Sequence, residues 1–439
     1  MSNRDHFGSS FGILVAMAGS AVGLGNLWRF PYLVGTSGGA AFIILYLILV
    51  FVLCLPILYC EFVVGRRAQT NLVTAFSRYA PGRNWSVVGI LGLLGAFFIL
   101  AFYPVVGGWS IDYIIRSLGF QFSDMANAPA AAFESMFRQT MACSPRSLIF
   151  HFIYILLAGS IVLAGIRDGI ERYTKWMMPL LFVMVTIIAV RSCFLPGADA
   201  GLRFLFQPDF SHITAQTFLV ALGQAFFSMS IGCGAILTYA SYVKRSENII
   251  RLSSMTALTD TLFAIIAGVA IMPAVFAYGL SPSEGPGLLF AVLPRIFAEM
   301  PMGSWIAILF FFILFIAAIT SSISLLEVLV SVAMDKLHWS RKKSVILLTL
   351  FCWLVGILSV WRSEIFDFFN NFSANIILPL GALLLVIYVG WIADYRIFND
   401  EITNSGRLTI SRSYLVWVRF VIRYMAPLVI GAIFIASFL

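Results

Sequence analysis

Apolar residues form eleven long, nearly continuous segments along the chain, and short polar stretches separate them. A helix needs roughly 20 apolar residues to cross the hydrocarbon core of a bilayer. Because backbone groups in lipid must pair within the chain, each segment predicts a membrane-spanning helix rather than the short alternating strands of a barrel. The predicted spans cover residues 11–35, 39–64, 87–115, 147–165, 174–194, 214–243, 253–278, 304–334, 344–361, 372–392 and 414–438.

The composition also indicates an integral membrane protein. Of the 439 residues, 61% are hydrophobic and 11% are charged, and the mean hydropathy is +0.96. A soluble domain carries about 25% charged residues, so this chain has too little charge to cover its apolar surface in water. The composition therefore predicts one transmembrane domain over residues 1–439 with the lipid bilayer as a partner. It excludes a soluble enzyme, a nucleic-acid-binding module and a disordered scaffold.

The distribution of basic residues predicts the orientation of the chain. If the N-terminus is cytoplasmic, 20 of the 28 Lys and Arg residues fall at the inner side and seven at the outer side. Because inner loops are enriched in Lys and Arg, we expect a cytoplasmic N-terminus and, after eleven spans, an outer C-terminus. Cys143 and Cys193 then fall in outer loops, and the sequence leaves open whether they form a disulfide.

Two predicted spans contain a glycine-rich interruption. The first has GSAVGLGN at 19–26 and the sixth has SMSIGCG at 228–234, and their Gly-x-Gly cores are 209 residues apart. A single interruption of this kind is explained by close helix packing through small residues. Two in corresponding places favour a secondary transporter with inverted repeats and a binding site near the midplane. The expected repeats cover about 11–194 and 214–392, with a peripheral helix at about 414–438.

The motifs around these interruptions resemble the neurotransmitter:sodium symporter family. They are GSAVGLGNLWRFP at 19–31 followed by GGA at 38–40, GQAFFS at 223–228 followed by TYASY at 238–242, and TSS at 320–322. The resemblance covers nearly the whole chain and is to the bacterial, eleven-span, amino-acid-transporting branch. It implies an all-α integral membrane protein of the leucine-transporter type, with 11 transmembrane helices, two inverted five-helix repeats and broken helices 1 and 6.

The resemblance implies a sodium-coupled symporter that imports an amino acid by alternating access, with two sodium sites. The first would use the Ala21 carbonyl, Asn26, Ser228, Asp260 and the substrate carboxylate. The second would use the carbonyls of Gly19, Val22 and Ala317 with the hydroxyls of Thr320 and Ser321. Oxygen donors suit a hard cation. Without the family context, Thr320 and Ser321 would be interpreted as hydroxyls bonded to their own helix.

Asp260 is an acid in the middle of an apolar span, which is costly in lipid and marks a functional site by default. Animal members of the family have a neutral Asn at this position and bind chloride nearby. We therefore expect chloride-independent transport, in which Asp260 neutralises sodium and takes up a proton when the empty transporter returns. The alternative is an acid paired with a neighbouring Arg.

The resemblance places the substrate between the two interruptions. Its carboxylate is expected at the N–H groups of Leu24 and Gly25, where a helix end favours an anion, and at the Tyr103 hydroxyl. Its ammonium would meet the carbonyls of Ala21, Phe227 and Ser228 and the Ser230 hydroxyl. The side-chain pocket would be lined by Ile99, Tyr103, Phe227, Ser230, Cys233, Ser321 and Leu325. Cys233 replaces a Phe common in relatives, and the additional room predicts a large hydrophobic or aromatic substrate (Tyr, Trp, Phe or Leu).

Two gates follow from the same resemblance. Relatives pair the Arg at position 29 with an acid in span 10, but here the corresponding residue is Asn370. We therefore expect Arg29 to bond to Asn370 or to reach Asp367. At the inner side, Arg4 and Asp335 resemble a latch with Tyr242 nearby, although Arg4 alone could be a solvated charge.

Three other functions remain as alternatives. A proton-coupled amino-acid transporter is the nearest, because Asp260 could serve it, but the hydroxyls of Thr320 and Ser321 favour sodium. A channel or receptor-like protein would need a continuous polar pore. An enzyme would need paired acids, a His–Cys arrangement or metal ligands within spans, and the sequence shows none, so we expect no organic cofactor. The expected location is the bacterial inner membrane, and the sequence leaves the oligomeric state open.

Overall fold

The structure, a computed structural model, describes residues 6–79, 84–280 and 287–436, and their regular elements are all helices. Within these ranges nine helices are long and apolar enough to cross a membrane, or ten when the bent pair that forms span 1 counts as one. The bounds are span 1, Ser10–Ala21 and Gly25–Thr36; span 2, Ala40–Ala68; span 3, Ser86–Leu118; span 4, Pro145–Leu163; span 5, Ile166–Cys193; span 7, Ile249–Ala277; span 8, Gly303–Lys336; span 9, Arg341–Trp361; span 10, Ser363–Ile392; and span 11, Arg412–Ala432.

The predicted sixth span corresponds to two short helices, Ala215–Ser228 and Ala235–Ala240, joined by the non-helical residues 229–234. Neither half is long enough to cross a membrane, so length and composition alone do not identify this span. Span 1 is also broken, and its halves meet at an angle of 53°. The all-α architecture and both predicted interruptions are therefore confirmed.

Shorter helices lie between the spans along the chain. They are Leu72–Tyr79, Gln121–Asp124, Ala130–Met141, Ala198–Phe206, Leu293–Glu299 and Tyr395–Ile402. Span 8 is the most enclosed of the nine long helices within the described ranges, since 72% of its apolar window is buried, whereas the figure for span 11 is 28%. Span 8 therefore lies at the centre of the helix bundle, where its hydroxyl-bearing residues can reach the break in span 1.

All six cysteines have free thiols. Cys143 is exposed and Cys193 is half-buried, and they form no disulfide with each other in this structure. The other four are buried in the bundle, where a thiol packs as a small hydrophobic group.

Candidate functional site

The break in span 1 passes directly against spans 3 and 8. Val22 leaves the helical conformation, with φ −68° and ψ 108°. A Cβ atom at Gly23 would lie 2.6 Å from the Ser321 Oγ and 2.7 Å from the Tyr103 Oη. Because no side chain fits at such distances, the close approach of the two hydroxyls to the backbone depends on glycine at this position.

The break in span 6 depends on residues in the left-handed conformation. Ser230, Gly232 and Gly234 have φ values of 54°, 87° and 73°, a region that glycine adopts without a steric penalty. The Ser230 hydroxyl donates a hydrogen bond of 2.9 Å to the Ser20 carbonyl. The two breaks are therefore in direct contact, as the paired glycine motifs predict.

Glu61 in span 2 supports the second break. Its side chain is buried, and its Oε1 accepts a hydrogen bond of 2.8 Å from the Gly232 N–H. The role of Glu61 was not predicted from the sequence. The sequence feature that could have identified Glu61 is an acid within a long apolar span, which is the feature that identified Asp260.

A central cavity of about 30 Å³ lies between the breaks and spans 3 and 8. Ten of the eleven predicted substrate residues line it, namely Ala21, Gly25, Ile99, Tyr103, Phe227, Ser228, Ser230, Cys233, Ser321 and Leu325. The remaining one, Leu24, lines the adjoining cavity, and its N–H donates a hydrogen bond of 3.0 Å to the Tyr103 hydroxyl. Ser20, Gly23 and Leu378 complete the lining.

Asp260 lies beside this cavity in a polar cluster. It is 0% exposed. Its two carboxylate oxygens each accept a hydrogen bond of 2.8 Å, one from the Asn26 Nδ2 and one from the Ser228 hydroxyl. The Asn26 Oδ1 in turn accepts a bond of 3.0 Å from the Gly23 N–H. Within the described residues Asp260 makes no ion pair, so the alternative of an Arg-paired acid is not observed.

The residues predicted for a second cation site also meet. Thr320 donates to the carbonyls of Ile316 and Ala317, both at 3.1 Å. Ser321 donates to the Ala317 carbonyl at 3.3 Å or to the Val22 carbonyl at 3.4 Å. These bonds use the hydroxyl hydrogens, as expected for helical Ser and Thr, but leave oxygen lone pairs available to a cation.

Gly19 of span 1 lies across from Thr320 of span 8 at the predicted second cation site. A Cβ at position 19 would lie 3.3 Å from the Thr320 Cβ, so the backbone of span 1 touches span 8 here. The structure thus brings Gly19, Val22, Ala317, Thr320 and Ser321 together between spans 1 and 8.

A larger cavity of about 270 Å³ adjoins the central one, and Gly25, Tyr103 and Phe227 line both. It is named the outer cavity after the side on which the predicted orientation places it. Arg29 and Asn370 line this cavity together. No hydrogen bond joins them in this structure, and among the described residues Arg29 makes no ion pair with Asp367. The guanidinium instead lies over the Phe227 ring, 5.1 Å from its centroid. The expected outer gate contact is therefore replaced by a cation–π contact, because span 10 offers no acid next to Arg29.

The side of the site opposite to the outer cavity is named the inner side after the predicted orientation, and it is closed by a network that the sequence did not predict. The Tyr242 hydroxyl donates a bond of 2.7 Å to Glu327, which is 0% exposed and pairs with Arg341 at 2.5 Å. Arg341 also donates to the Val162 carbonyl at 2.9 Å. The network joins the inner ends of spans 4, 6, 8 and 9. The sequence feature that could have identified this network is Glu327, an acid within apolar span 8.

The expected partner of Asp335 lies outside the described residues, because Arg4 belongs to the segment before residue 6. Asp335 accepts hydrogen bonds from the Asn71 N–H at 3.0 Å and the Asn71 Nδ2 at 3.1 Å. Nearby, the Phe7 ring packs edge-on against Tyr239 and Tyr242 at 5.9 and 6.5 Å. The chain before span 1 therefore contacts the inner end of span 6.

The model of the Sodium:neurotransmitter symporter family matches residues 4–131 and 147–439 of this chain. The chain belongs to this family. Its members are transporters, so the protein is a sodium-dependent symporter of the membrane and not an enzyme. Sodium is therefore a co-transported substrate.

Relatives in this family match over almost their full length. The chain is 36% identical to a protein named as an uncharacterized sodium-dependent transporter from Haemophilus influenzae, over 99% of this chain and 98% of the relative. It is 34% identical to the Bacillus subtilis protein named as the uncharacterized sodium-dependent transporter YhdH, over 97% and 96%. The crystal structure of MhsT in complex with L-phenylalanine is similar with a TM-score of 0.90 and 39% identity, over 99% of this chain and 100% of MhsT. This symporter is therefore structurally close to a transporter that was solved with an amino acid bound.

Proposed function

We propose that the protein imports a large hydrophobic or aromatic amino acid, coupled to two sodium ions and independently of chloride. The observation that carries this proposal is the convergence of both breaks, Tyr103 and the Asp260 cluster on one central cavity. We further propose that spans 1–5 and 6–10 are the two inverted repeats, at about 11–194 and 214–392.

The substrate pose follows from the groups that line the cavity. The Leu24 N–H donates to the Tyr103 hydroxyl at 3.0 Å, which leaves the hydroxyl hydrogen for a carboxylate. A carboxylate at the Tyr103 hydroxyl and the Gly25 N–H would have two donors, and a third once it replaced Tyr103 as the acceptor of the Leu24 N–H. The carbonyls of Ala21, Phe227 and Ser228 and the Ser230 hydroxyl would take the ammonium. No acid is needed for it, because carbonyl dipoles at helix ends carry partial negative charge.

The proposed substrate class rests on the small Cys233 and on the related structure. Cys233 lines the central cavity, and a thiol leaves more room than an aromatic ring. MhsT was solved in complex with L-phenylalanine, which supports an aromatic substrate here. A cavity of about 30 Å³ holds only one or two water molecules, so binding requires Phe227 and Tyr103 to move apart.

We assign one sodium ion to each polar group beside the cavity. Asp260, Asn26, Ser228 and the Ala21 carbonyl would hold the first, completed by the substrate carboxylate. The carbonyls of Gly19, Val22 and Ala317 with Thr320 and Ser321 would hold the second. Since Asp260 supplies a negative charge while sodium is bound, the first site needs no separate anion, which supports chloride independence.

Alternating access would use the two closures on either side of this site. Phe227 and Tyr103 separate the central cavity from the outer cavity, and the Tyr242–Glu327–Arg341 network closes the inner side. Opening one while the other stays closed is the transport cycle. We place the protein in the bacterial inner membrane, with its N-terminus inside and its C-terminus outside.

Uptake into proteoliposomes tests this proposal. We expect wild-type uptake of Phe, Tyr, Trp or Leu that requires an inward sodium gradient and is unchanged when gluconate replaces chloride. Asp260→Asn should lower uptake at least about tenfold in gluconate, because the first sodium loses a charged ligand, and chloride should partly restore it. Asp199→Asn, which changes an acid 70% exposed in its side chain, is the matched control and should behave like wild type.

Three results would contradict the proposal. Uptake driven by a proton gradient without sodium would favour the proton-coupled alternative. A strict chloride requirement in wild type would exclude the assigned role of Asp260. Saturable uptake restricted to glycine would refute the substrate class.

A further inference from the structure

Span 3 is interrupted immediately before the tyrosine of the central cavity. One helix ends at Leu100 and the next begins at Tyr103. Pro104 has no N–H and so cannot continue the first helix. In a continuous helix the Val105 N–H would donate to the carbonyl of Ala101, four positions earlier. Here it donates to the Phe102 carbonyl at 3.0 Å instead, so it does not pair with the Ala101 carbonyl.

Span 9 supplies the missing donor. The Ser359 hydroxyl donates a hydrogen bond of 2.8 Å to the Ala101 carbonyl. Both residues are buried, with exposed fractions of 5% and 0%, so water does not replace this bond. A neutral carbonyl left unpaired in such a place carries a free-energy penalty.

Gly356 lies one turn before Ser359, on the same face of span 9. A Cβ at Gly356 would lie 3.4 Å from the Ala101 carbonyl oxygen and 2.5 Å from the His151 ring. Span 9 is thus held close to the break, with His151 of span 4 packed beside it. The position of the Ser359 hydroxyl is consequently fixed by packing on two sides.

The Ser359–Ala101 hydrogen bond lies two residues along the chain from Tyr103, which lines the central cavity. Ala101, Phe102 and Tyr103 are consecutive and all buried, and the Tyr103 hydroxyl contacts the Leu24 N–H at 3.0 Å. We infer that Ser359, which does not line the cavity, is a positioning residue that sets the affinity for the substrate carboxylate by fixing the start of the second half of span 3. This inference rests on the proposed function, in which Tyr103 binds that carboxylate.

Binding by the purified full-length protein in sodium tests the inference, with L-phenylalanine as the first probe and the tightest-binding amino acid thereafter. Ser359→Ala should raise Kd about tenfold, because the freed carbonyl lets the start of the helix shift. Ser359→Thr keeps the hydroxyl and should restore wild-type affinity. Ser344→Ala is the matched control, because Ser344 is a buried serine of span 9 whose hydroxyl donates at 3.1 Å to Ser340 within its own turn.

A double variant separates positioning from general stability. If Ser359 acts through Tyr103, Ser359→Ala should raise Kd little further in a Tyr103→Phe background. Fully additive effects, or a lower melting temperature with unchanged Kd, would overturn the inference. If Ser359→Ala does not fold, Ser359→Cys, with its weaker donor, is compared in the same way. Wild-type protein that binds no amino acid in sodium would overturn the proposed function as well, whereas wild-type binding with unchanged Ser359→Ala affinity overturns the inference alone.

Discussion

Gly23 is the residue at which the three parts of the site come closest together. Its N–H donates to Asn26 at 3.0 Å in the Asp260 cluster, and its missing side chain leaves room for the hydroxyls of Ser321 and Tyr103. One backbone position thus contacts both proposed sodium sites and the proposed carboxylate site. A change here should disturb all three at once.

We therefore expect Gly23→Ala to abolish sodium-dependent uptake. The new methyl group would lie 2.6 and 2.7 Å from two buried hydroxyl oxygens, and overpacking of this kind costs about 1–3 kcal/mol. The measurement is sodium-dependent uptake together with the melting temperature in detergent. Gly223→Ala is the control, because a Cβ at Gly223 meets nothing within 4 Å. Normal uptake by Gly23→Ala would show that the close approach is dispensable.

Residue chemistry explains why some site residues could be predicted and others could not. Asp260 could be predicted because an acid within an apolar span is costly in lipid and marks a functional site. Glu61 and Glu327 carry the same signal, but their partners, a backbone N–H at Gly232 and the side chains of Tyr242 and Arg341, come from distant positions. Such partners follow from the packing of helices and cannot be derived from spacing along one helix.

At the scale of elements, the break in span 6 is supported by a hydrogen bond to another span. Glu61 of span 2 accepts the Gly232 N–H at 2.8 Å, and the break in span 6 needs such an acceptor because its backbone groups have left the helix. The glycine motifs predict where the two breaks occur. They do not predict that span 2 would supply this support.

Glu61 should therefore be needed as a hydrogen-bond acceptor. Glu61→Leu leaves the Gly232 N–H buried without a partner, which should cost about 1–3 kcal/mol of stability and reduce uptake. Glu61→Gln retains a side-chain oxygen for the same bond and should keep most of the stability and uptake. Thermal unfolding and uptake of the two variants, side by side, check this expectation. Equal loss in both variants would indicate that the negative charge of Glu61, and not the hydrogen bond, is what span 6 requires.

The break in span 3 shows a limit of hydropathy. Residues 87–115 form one nearly continuous apolar segment, so the sequence predicts one continuous span, yet the helix stops at Leu100 and restarts at Tyr103. Pro104 was a local signal for this interruption. The residues at this break are neither glycine nor charged. The hydropathy profile records only whether residues are apolar, so it shows no interruption here.

At the scale of the whole molecule, the site lies between an outer cavity and a closed inner side. The outer cavity of about 270 Å³ adjoins the central one across Phe227. On the other side, the buried Glu327, its partner Arg341 and Tyr242 join the ends of four spans. The orientation of the chain in the membrane decides whether the closed side of the site faces the cytoplasm or the outside.

The orientation can be tested with the cysteines of the chain itself. Basic residues predict a cytoplasmic N-terminus, which places Cys143, the exposed thiol between Met141 and Pro145, on the outside. A membrane-impermeant maleimide should therefore label wild-type protein in intact spheroplasts, and Cys143→Ala should remove most of that label, since four other cysteines are buried and Cys193 is half-buried. In the Cys143→Ala background, Ser77→Cys, at an exposed position between spans 2 and 3, should react only after the membrane is permeabilised. The reverse pattern, with Cys143 protected and Ser77→Cys labelled in intact spheroplasts, would invert the topology and make the closed side the outer one.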